Sequence, residues 1–91
     1  MSALEDRLAR FLAEQLPDLE TRINQEGDAI VIRYGVALPR GRRFPPLFRL
    51  RRNGSNWIGE RSVGADWRDD YEEHGLLSRA VALANIEQAL A

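Results

Sequence analysis

The side chains of this sequence that are best suited to bind a partner are concentrated in an arginine-rich stretch near its middle. Six guanidinium groups fall within thirteen residues, on Arg40, Arg42, Arg43, Arg49, Arg51 and Arg52. A guanidinium group is planar and always charged, and it binds carboxylates and phosphates through paired hydrogen bonds. The stretch therefore predicts a surface that docks an anionic partner, with Phe44 between the arginines as an aromatic anchor.

The charge of the whole chain is polarised around this stretch. Residues 29–68 contain nine arginines against two acidic residues, a local balance of +7, whereas residues 1–28 and 69–91 each come to −4. The chain has no lysine, and its net charge is −1. A basic middle between acidic ends is typical of a protein that meets an anionic partner or an acidic protein face.

Three interpretations of the arginines stay open. Arg49 and Arg51 alternate with two apolar residues, so they share one strand face, and the partner that they dock is predicted to be an acidic protein or a nucleoprotein. The same basic ribbon would also suit direct contact with nucleic-acid phosphates. Finally, an outward strand face must be polar in any case, and edge strands carry charge against aggregation.

An acidic surface is predicted on the other side of this basic region, from Asp69, Asp70, Glu72 and Glu73. Acidic residues in the first turn of a helix are stabilised by the helix dipole, and their spacing here matches no metal-binding loop. The predicted order of helix, strands and helix resembles that of double-stranded-RNA-binding domains. In that family a lysine cluster at this place binds phosphates. The four carboxylates of this sequence would repel phosphates instead.

The sequence offers little for catalysis. It contains no cysteine, which excludes disulfides, thiolate chemistry and nearly all structural zinc sites, and His74 is its single histidine. No nucleophile, phosphate-binding or dinucleotide motif is present. We expect no enzymatic activity, no metal and no cofactor.

The element order is predicted as α-β-β-β-β-α. A capping pattern at Ser2 and an apolar stripe from Leu4 to Leu16 predict the first helix, and period-2 alternation and β-branched residues predict the strands. The predicted elements are helix 3–16, strands 19–24, 29–37, 47–52 and 57–61, loop 39–46 and helix 70–90. Segment 19–24 stays open between a strand and a helical turn.

These elements predict one domain over residues 1–91, of the α+β class. The expected architecture is an antiparallel meander of three to four strands with both helices packed on one face. Apolar residues cover more than half of the circumference of helix 70–90, so it either lies between the sheet and the first helix or pairs with another copy of the chain. The candidate self-association residues are Leu83, Ile86 and Leu90.

Together these observations predict a small non-enzymatic binding protein of bacterial or bacteriophage type. An inhibitor of a host nucleic-acid-binding complex belongs to this class, since its acidic ends would mimic phosphate. The alternatives are a nucleic-acid-binding module and a self-associating structural protein. No long apolar run or leader-like segment is present, so we expect a cytoplasmic protein with no membrane partner.

Overall fold

The structure of the protein, a computed structural model, describes residues 2–69 and 75–90. In chain order its elements are α1 (Ala3–Gln15), β1 (Thr21–Glu26), β2 (Ala29–Tyr34), β3 (Val36–Leu38), β4 (Gly41–Arg43), β5 (Pro46–Asn53), β6 (Asn56–Val63), β7 (Asp66–Arg68) and α2 (Gly75–Leu90). Five strands form an antiparallel sheet in the order β1-β2-β5-β6-β7, and β3 pairs with β4 in a separate two-stranded sheet. The predicted α+β class, with an antiparallel meander between terminal helices, is confirmed.

Helix α1 lies where the sequence predicts, to within one residue. The Glu5 N–H donates to the Ser2 hydroxyl oxygen at 3.1 Å, which satisfies one of the amides left unpaired in the first turn. At the other end, the Leu16 N–H donates to the Leu12 carbonyl at 2.8 Å, and the following proline disfavours a further helical residue. Leu8 and Leu12 are fully buried, so the apolar stripe of α1 faces the core.

Both helices pack on the same face of the five-stranded sheet. Alternate residues of the two central strands supply the core under them, namely Ile30, Ile32, Phe48 and Leu50, all nearly or fully buried. Helix α2 contacts β6 and α1, and α1 also contacts β1. The core is therefore a layer between the helix pair and one sheet face.

Gly59 in the middle of β6 allows α2 to approach the sheet closely. A Cβ added at this position would lie 2.6 Å from Val81 Cγ2 and 2.9 Å from Leu77 Cδ1. A glycine within a strand pattern commonly indicates a bulge or a close approach of another element. The structure assigns Gly59 to helix–sheet packing, because only glycine leaves room for the two side chains.

An asparagine of α2 covers part of the free edge of β6. Strand β7 pairs with β6 only at Arg61–Val63. Nearer the start of β6, the Trp57 N–H donates to Asn85 Oδ1 at 2.7 Å, and Asn85 Nδ2 donates to the Trp57 carbonyl at 3.3 Å. One amide side chain thus satisfies both backbone groups that would otherwise face outward from the sheet.

The region from β2 to β5 differs most from its prediction. The sequence predicts an unbroken strand over 29–37 and a loop over 39–46, with strand pairing only from about Leu47. In the structure β2 ends at Tyr34, and β3 and β4 extend the same hairpin outward as a short two-stranded ribbon. A proline lacks an N–H but still accepts hydrogen bonds, and the Tyr34 N–H donates to the Pro45 carbonyl at 3.1 Å. The prolines therefore interrupt the pairing without ending it, and β5 begins at Pro46.

Three smaller differences concern the turns. The segment predicted over 19–24 is a strand, shifted to Thr21–Glu26, because Leu19 is held in a turn by its bond to the Leu16 carbonyl. The predicted turn at 53–56 narrows to its two central residues, since Asn53 and Asn56 still pair across the strands. Strand β7 was not predicted, because its three residues, Asp66–Arg68, are too few to show an alternating pattern.

Helix α2 is described from Gly75, so the helix start predicted at Asp70 lies outside the described residues. Packing between the sheet and α1 accounts for the apolar residues Leu77, Ala80, Val81 and Ala84, all of which are buried. Leu83 packs partly against the core, whereas Ile86 and Leu90 are 57% and 73% exposed. Within the described part of the chain, no helix has the length and apolar character needed to cross a membrane.

Candidate anion-docking face

Of the residues that the structure describes, four arginines and two glutamates lie on the sheet face opposite the helices. Within residues 2–69 and 75–90, no helix or strand packs over this face. The strand register places Val31, Arg49 and Glu60 side by side in one row, and Ala29 beside Arg51 in the next. We call this surface the open face, and we define it by the charged and aromatic side chains Arg22, Glu26, Arg33, Arg49, Arg51, Glu60 and Trp67.

The apolar residues of the open face are buried and lie in register beside arginines. Val31 and Ala29 are only 4% and 5% exposed, although no element packs over them among the described residues. Their neighbours in register are Arg49 and Arg51, whose aliphatic stems can cover apolar surface while the guanidinium groups reach water. The arginines of the open face therefore contribute to packing as well as to charge.

Arg49 and Arg51 share one carboxylate. Their Nε atoms donate to the same oxygen, Glu60 Oε1, at 2.9 and 3.0 Å. The Glu60 side chain is only 11% exposed, and the guanidinium carbon of Arg49 lies 4.4 Å from the centroid of the Trp67 ring. The carboxylate and the aromatic ring together restrict the orientation of the Arg49 guanidinium group.

Glu60 stays ionised within this cluster. Burial alone would raise the pKa of its carboxyl group, but the hydrogen bonds and positive charges of Arg49 and Arg51 outweigh burial and lower the pKa below its usual range. At neutral pH the cluster therefore holds two guanidinium ions around one carboxylate, with a net positive charge.

Phe44 joins the ribbon to the open face. The guanidinium carbon of Arg22 lies 3.6 Å from the centroid of the Phe44 ring, and that of Arg42 lies 5.8 Å from it. Arg33 Nη1 donates to the Phe44 carbonyl at 3.3 Å, and Arg42 Nη1 forms an ion pair with Glu20 at 2.7 Å. Phe44 is thus partly enclosed by arginines of the sheet and of the ribbon.

The ribbon of β3 and β4 presents the remaining arginines of the stretch. Arg40 and Arg43 are exposed, and among the described residues neither forms an ion pair. Leu38, near the tip, is 41% exposed. Arg42 forms its ion pair with Glu20 instead. The ribbon therefore holds Arg42 near the five-stranded sheet, whereas Arg40 and Arg43 are exposed to solvent.

The structure divides the predicted arginine surface. It brings Arg49 and Arg51 onto the open face, whereas Arg52 lies on the helix side, where its Nη1 donates to Gln88 Oε1 at 3.3 Å. The six arginines therefore do not form one continuous patch. Of the predicted acidic surface, Asp69 is exposed, and Asp70, Glu72 and Glu73 lie outside the described residues, as does His74.

Five residues of the open face escaped the sequence prediction, namely Arg22, Glu26, Arg33, Glu60 and Trp67. Arg22 and Arg33 fall outside the arginine-rich stretch, and only their strand register places them beside Phe44 and Glu26. The sequence did contain a signal for each of them. Arg22 lies in the alternating pattern of β1, and Arg33 lies near the end of the β-branched run of β2. Trp67 lies on the short strand β7, which was not predicted, so the sequence did not place its ring beside Arg49.

Among the residues that the structure describes, no group of three His, Asp or Glu side chains is placed to hold a metal ion. What the open face offers chemically is hydrogen-bond donation from fixed guanidinium groups, next to an aromatic ring. Comparison of the chain with models of protein families, with curated proteins and with solved structures gave no match.

Proposed function

We propose that this protein is a non-enzymatic binding protein that docks a carboxylate-rich face of another protein through the open face of its sheet. The observation that carries the proposal is the Arg49–Glu60–Arg51 cluster, in which two arginines are ordered on a surface that no helix or strand covers among the described residues. Arginine and tryptophan are enriched among residues that dominate protein interfaces, because each combines a large contact area with directional bonds. Trp67 beside Arg49 supplies such a pair.

The mixed charge of the open face favours an acidic protein over a nucleic acid. Glu26 is bonded to Arg33, and Glu60 to two arginines, so the arginines outnumber the carboxylates without forming a uniform basic surface. Proteins that bind nucleic acids gain most of their affinity by neutralising many phosphates, and carboxylates inside the contact surface oppose this. A protein face with a few acidic side chains matches the pattern better.

The proposal is tested by NMR mapping with a defined probe. Labelled protein is titrated with a short peptide in which glutamate alternates with threonine, and with the same peptide carrying glutamine in place of glutamate. We expect chemical-shift changes on β2, β5 and β6 with the glutamate peptide alone. The double variant Arg49→Gln with Arg51→Gln should weaken binding at least about tenfold, because hydrogen bonds to charged groups contribute roughly 1.5–3 kcal/mol each.

A matched control removes the same charge from another surface. Arg7 and Arg10 are exposed on α1, and among the described residues Arg7 forms one partly exposed ion pair, with Glu87 of α2. Changing both to glutamine should leave peptide binding within about twofold, since exposed charges outside the contact act weakly through water. Equal losses in the two double variants, or shifts that map to the helices, would contradict the proposal.

Direct nucleic-acid binding is the second candidate, and the ribbon of β3 and β4 favours it. A two-stranded ribbon fits the major groove of DNA, and here the exposed Arg40 and Arg43 lie on one. This function predicts binding of DNA or RNA that weakens steeply between about 50 and 200 mM salt. Changing Arg40 and Arg43 to glutamine would weaken it further, whereas peptide binding by the open face would be unaffected.

A further inference from the structure

The bonds within the cluster leave the terminal nitrogens of both arginines available. Arg49 and Arg51 each reach Glu60 through Nε, and among the described residues neither uses Nη1 or Nη2 in a hydrogen bond. A guanidinium group held at Nε still has four N–H donors on its two terminal nitrogens. In a cluster of this kind the carboxylate orients the arginines without occupying the donors that grip a planar anion.

The spacing of the two groups suits carboxylates on an extended or helical partner. Arg49 and Arg51 are two residues apart on β5, so their Cα atoms are about 6.8 Å apart along the strand. Their Nε atoms lie within about 6 Å of each other, because both bond the same carboxylate oxygen. Alternate residues of a facing strand have the same spacing, and side chains one turn apart on a helix are separated by a similar distance, about 5–6 Å. Two acidic side chains of one partner element could thus meet the two arginines at once.

Resting on the function proposed above, we propose that Glu60 is a positioning residue. It holds Arg49 and Arg51 as two prepared sites for a pair of carboxylates on an acidic protein segment. Ordering a long side chain on binding costs affinity, and an arginine that is ordered beforehand avoids that cost. Trp67 acts in the same direction, because its ring lies against the guanidinium group of Arg49 at 4.4 Å.

This role makes a prediction opposite in sign to that of simple charge attraction. Glu60→Gln makes the open face more positive. If an acidic probe were attracted by the net charge alone, the variant would therefore bind it more tightly than wild type. If Glu60 positions the arginines, the same change weakens binding, because both guanidinium groups lose their charged partner. The direction of the effect therefore separates the two mechanisms.

Glu26→Gln is the matched control. Glu26 lies on the same face and forms an ion pair with Arg33 at 3.2 Å, but it has no hydrogen bond or ion pair with Arg49 or Arg51. This variant changes the net charge by the same amount as Glu60→Gln and leaves the cluster intact. Glu60→Asp is a second variant, which keeps the charge but withdraws the carboxylate by one methylene.

The experiment titrates wild type and the three variants with the glutamate–threonine peptide and with a short DNA duplex, and follows the Nε–Hε signals of the arginines by NMR. We expect Glu60→Gln and Glu60→Asp to bind the peptide about five- to tenfold more weakly than wild type. Glu26→Gln should bind it as tightly as wild type or more tightly. The Arg49 and Arg51 Nε–Hε signals should lose their distinct shifts in the Glu60 variants only.

The possible results separate this inference from the proposed function. Peptide binding by wild type that is unchanged or strengthened in Glu60→Gln would overturn the positioning role and leave the docking function intact. A folded wild type that does not bind the peptide would overturn both. Binding of the duplex in preference to the peptide, with affinity raised in both Glu→Gln variants, would overturn both in favour of direct nucleic-acid binding.

Discussion

Glu60 shows how one acidic residue changes the meaning of the arginines around it. In the sequence it is one of two acids in a basic region, where it only lowers the local charge. In the structure it is the buried acceptor for two arginines, and it converts mobile positive side chains into a group with defined geometry. The chemistry of the open face therefore depends as much on this carboxylate as on the guanidinium groups.

The contribution of Glu60 to folding stability should depend on pH. Its pKa is lowered in the folded protein, so the stability that it contributes is fully present above the pKa of an unfolded glutamic acid, about 4.3, and is lost as the pH falls from there through the folded value. At neutral pH we expect Glu60→Gln to lower the free energy of unfolding by roughly 1–3 kcal/mol.

Urea denaturation of wild type and Glu60→Gln, from neutral pH down to below pH about 4, measures this effect. The difference between the two proteins should shrink as the pH falls, because the wild-type carboxylate is protonated and then resembles the amide of the variant. Glu26→Gln serves as the control and should differ little from wild type, since its exposed ion pair contributes little. A difference that stays constant with pH would count against a stabilising charged cluster.

At the scale of elements, the close contact between α2 and β6 depends on Gly59. Replacing Gly59 with alanine forces a methyl group against Val81 and Leu77, at distances of 2.6 and 2.9 Å before any adjustment. We expect the free energy of unfolding to fall by roughly 1–3 kcal/mol, because overpacking displaces core side chains and backbone.

Gly75→Ala is the natural comparison, because an alanine Cβ at that position would meet no atom of the described residues within 4 Å and lies in a helix. This change should leave stability equal or raise it by up to about 1 kcal/mol, since alanine favours the helical conformation. Thermal denaturation of both variants provides the measurement. If Gly59→Ala were as stable as Gly75→Ala, the close approach of α2 would not constrain this position.

At the scale of the whole molecule, we expect the exposed apolar side chains of the described residues to be too few for strong self-association. Ile86 and Leu90 are the large exposed hydrophobic residues of α2 in the described part of the chain, and a stable interface needs about 800 Å² from each partner. Two open faces would repel each other through their arginines. On this basis we predict that self-association through α2 is weak.

We therefore expect a monomer of 10.4 kDa in sedimentation equilibrium at micromolar concentration. The variant Ile86→Glu with Leu90→Glu should have the same mass and the same stability, because both side chains are exposed. Leu83→Glu is unsuitable as a test, since Leu83 packs partly against the core and its loss would affect folding. A wild-type dimer that Ile86→Glu dissociates would restore the self-association hypothesis.

The sequence alone determined the elements whose signals are local. The apolar stripe and cap of α1 and the alternation of β5 follow from periodicity and hydrogen bonding within a few residues, and these features gave the α+β class and its antiparallel meander. The same alternation placed Arg49 and Arg51 on one strand face. Each of these conclusions rests on residues close together in the chain.

Only the tertiary structure decided which side chains meet. Arg22 reaches Phe44 from a segment that is distant in the chain. Glu60 reaches two arginines across the β5–β6 hairpin, whose strands were predicted but whose side-chain contacts depend on the register of the pairing. Arg52 lies on the other sheet face from Arg49 and Arg51, because side chains alternate along β5 and its position faces the helices. The open face is thus a product of register, since a shift of one residue in strand pairing would turn its arginines to the other side of the sheet.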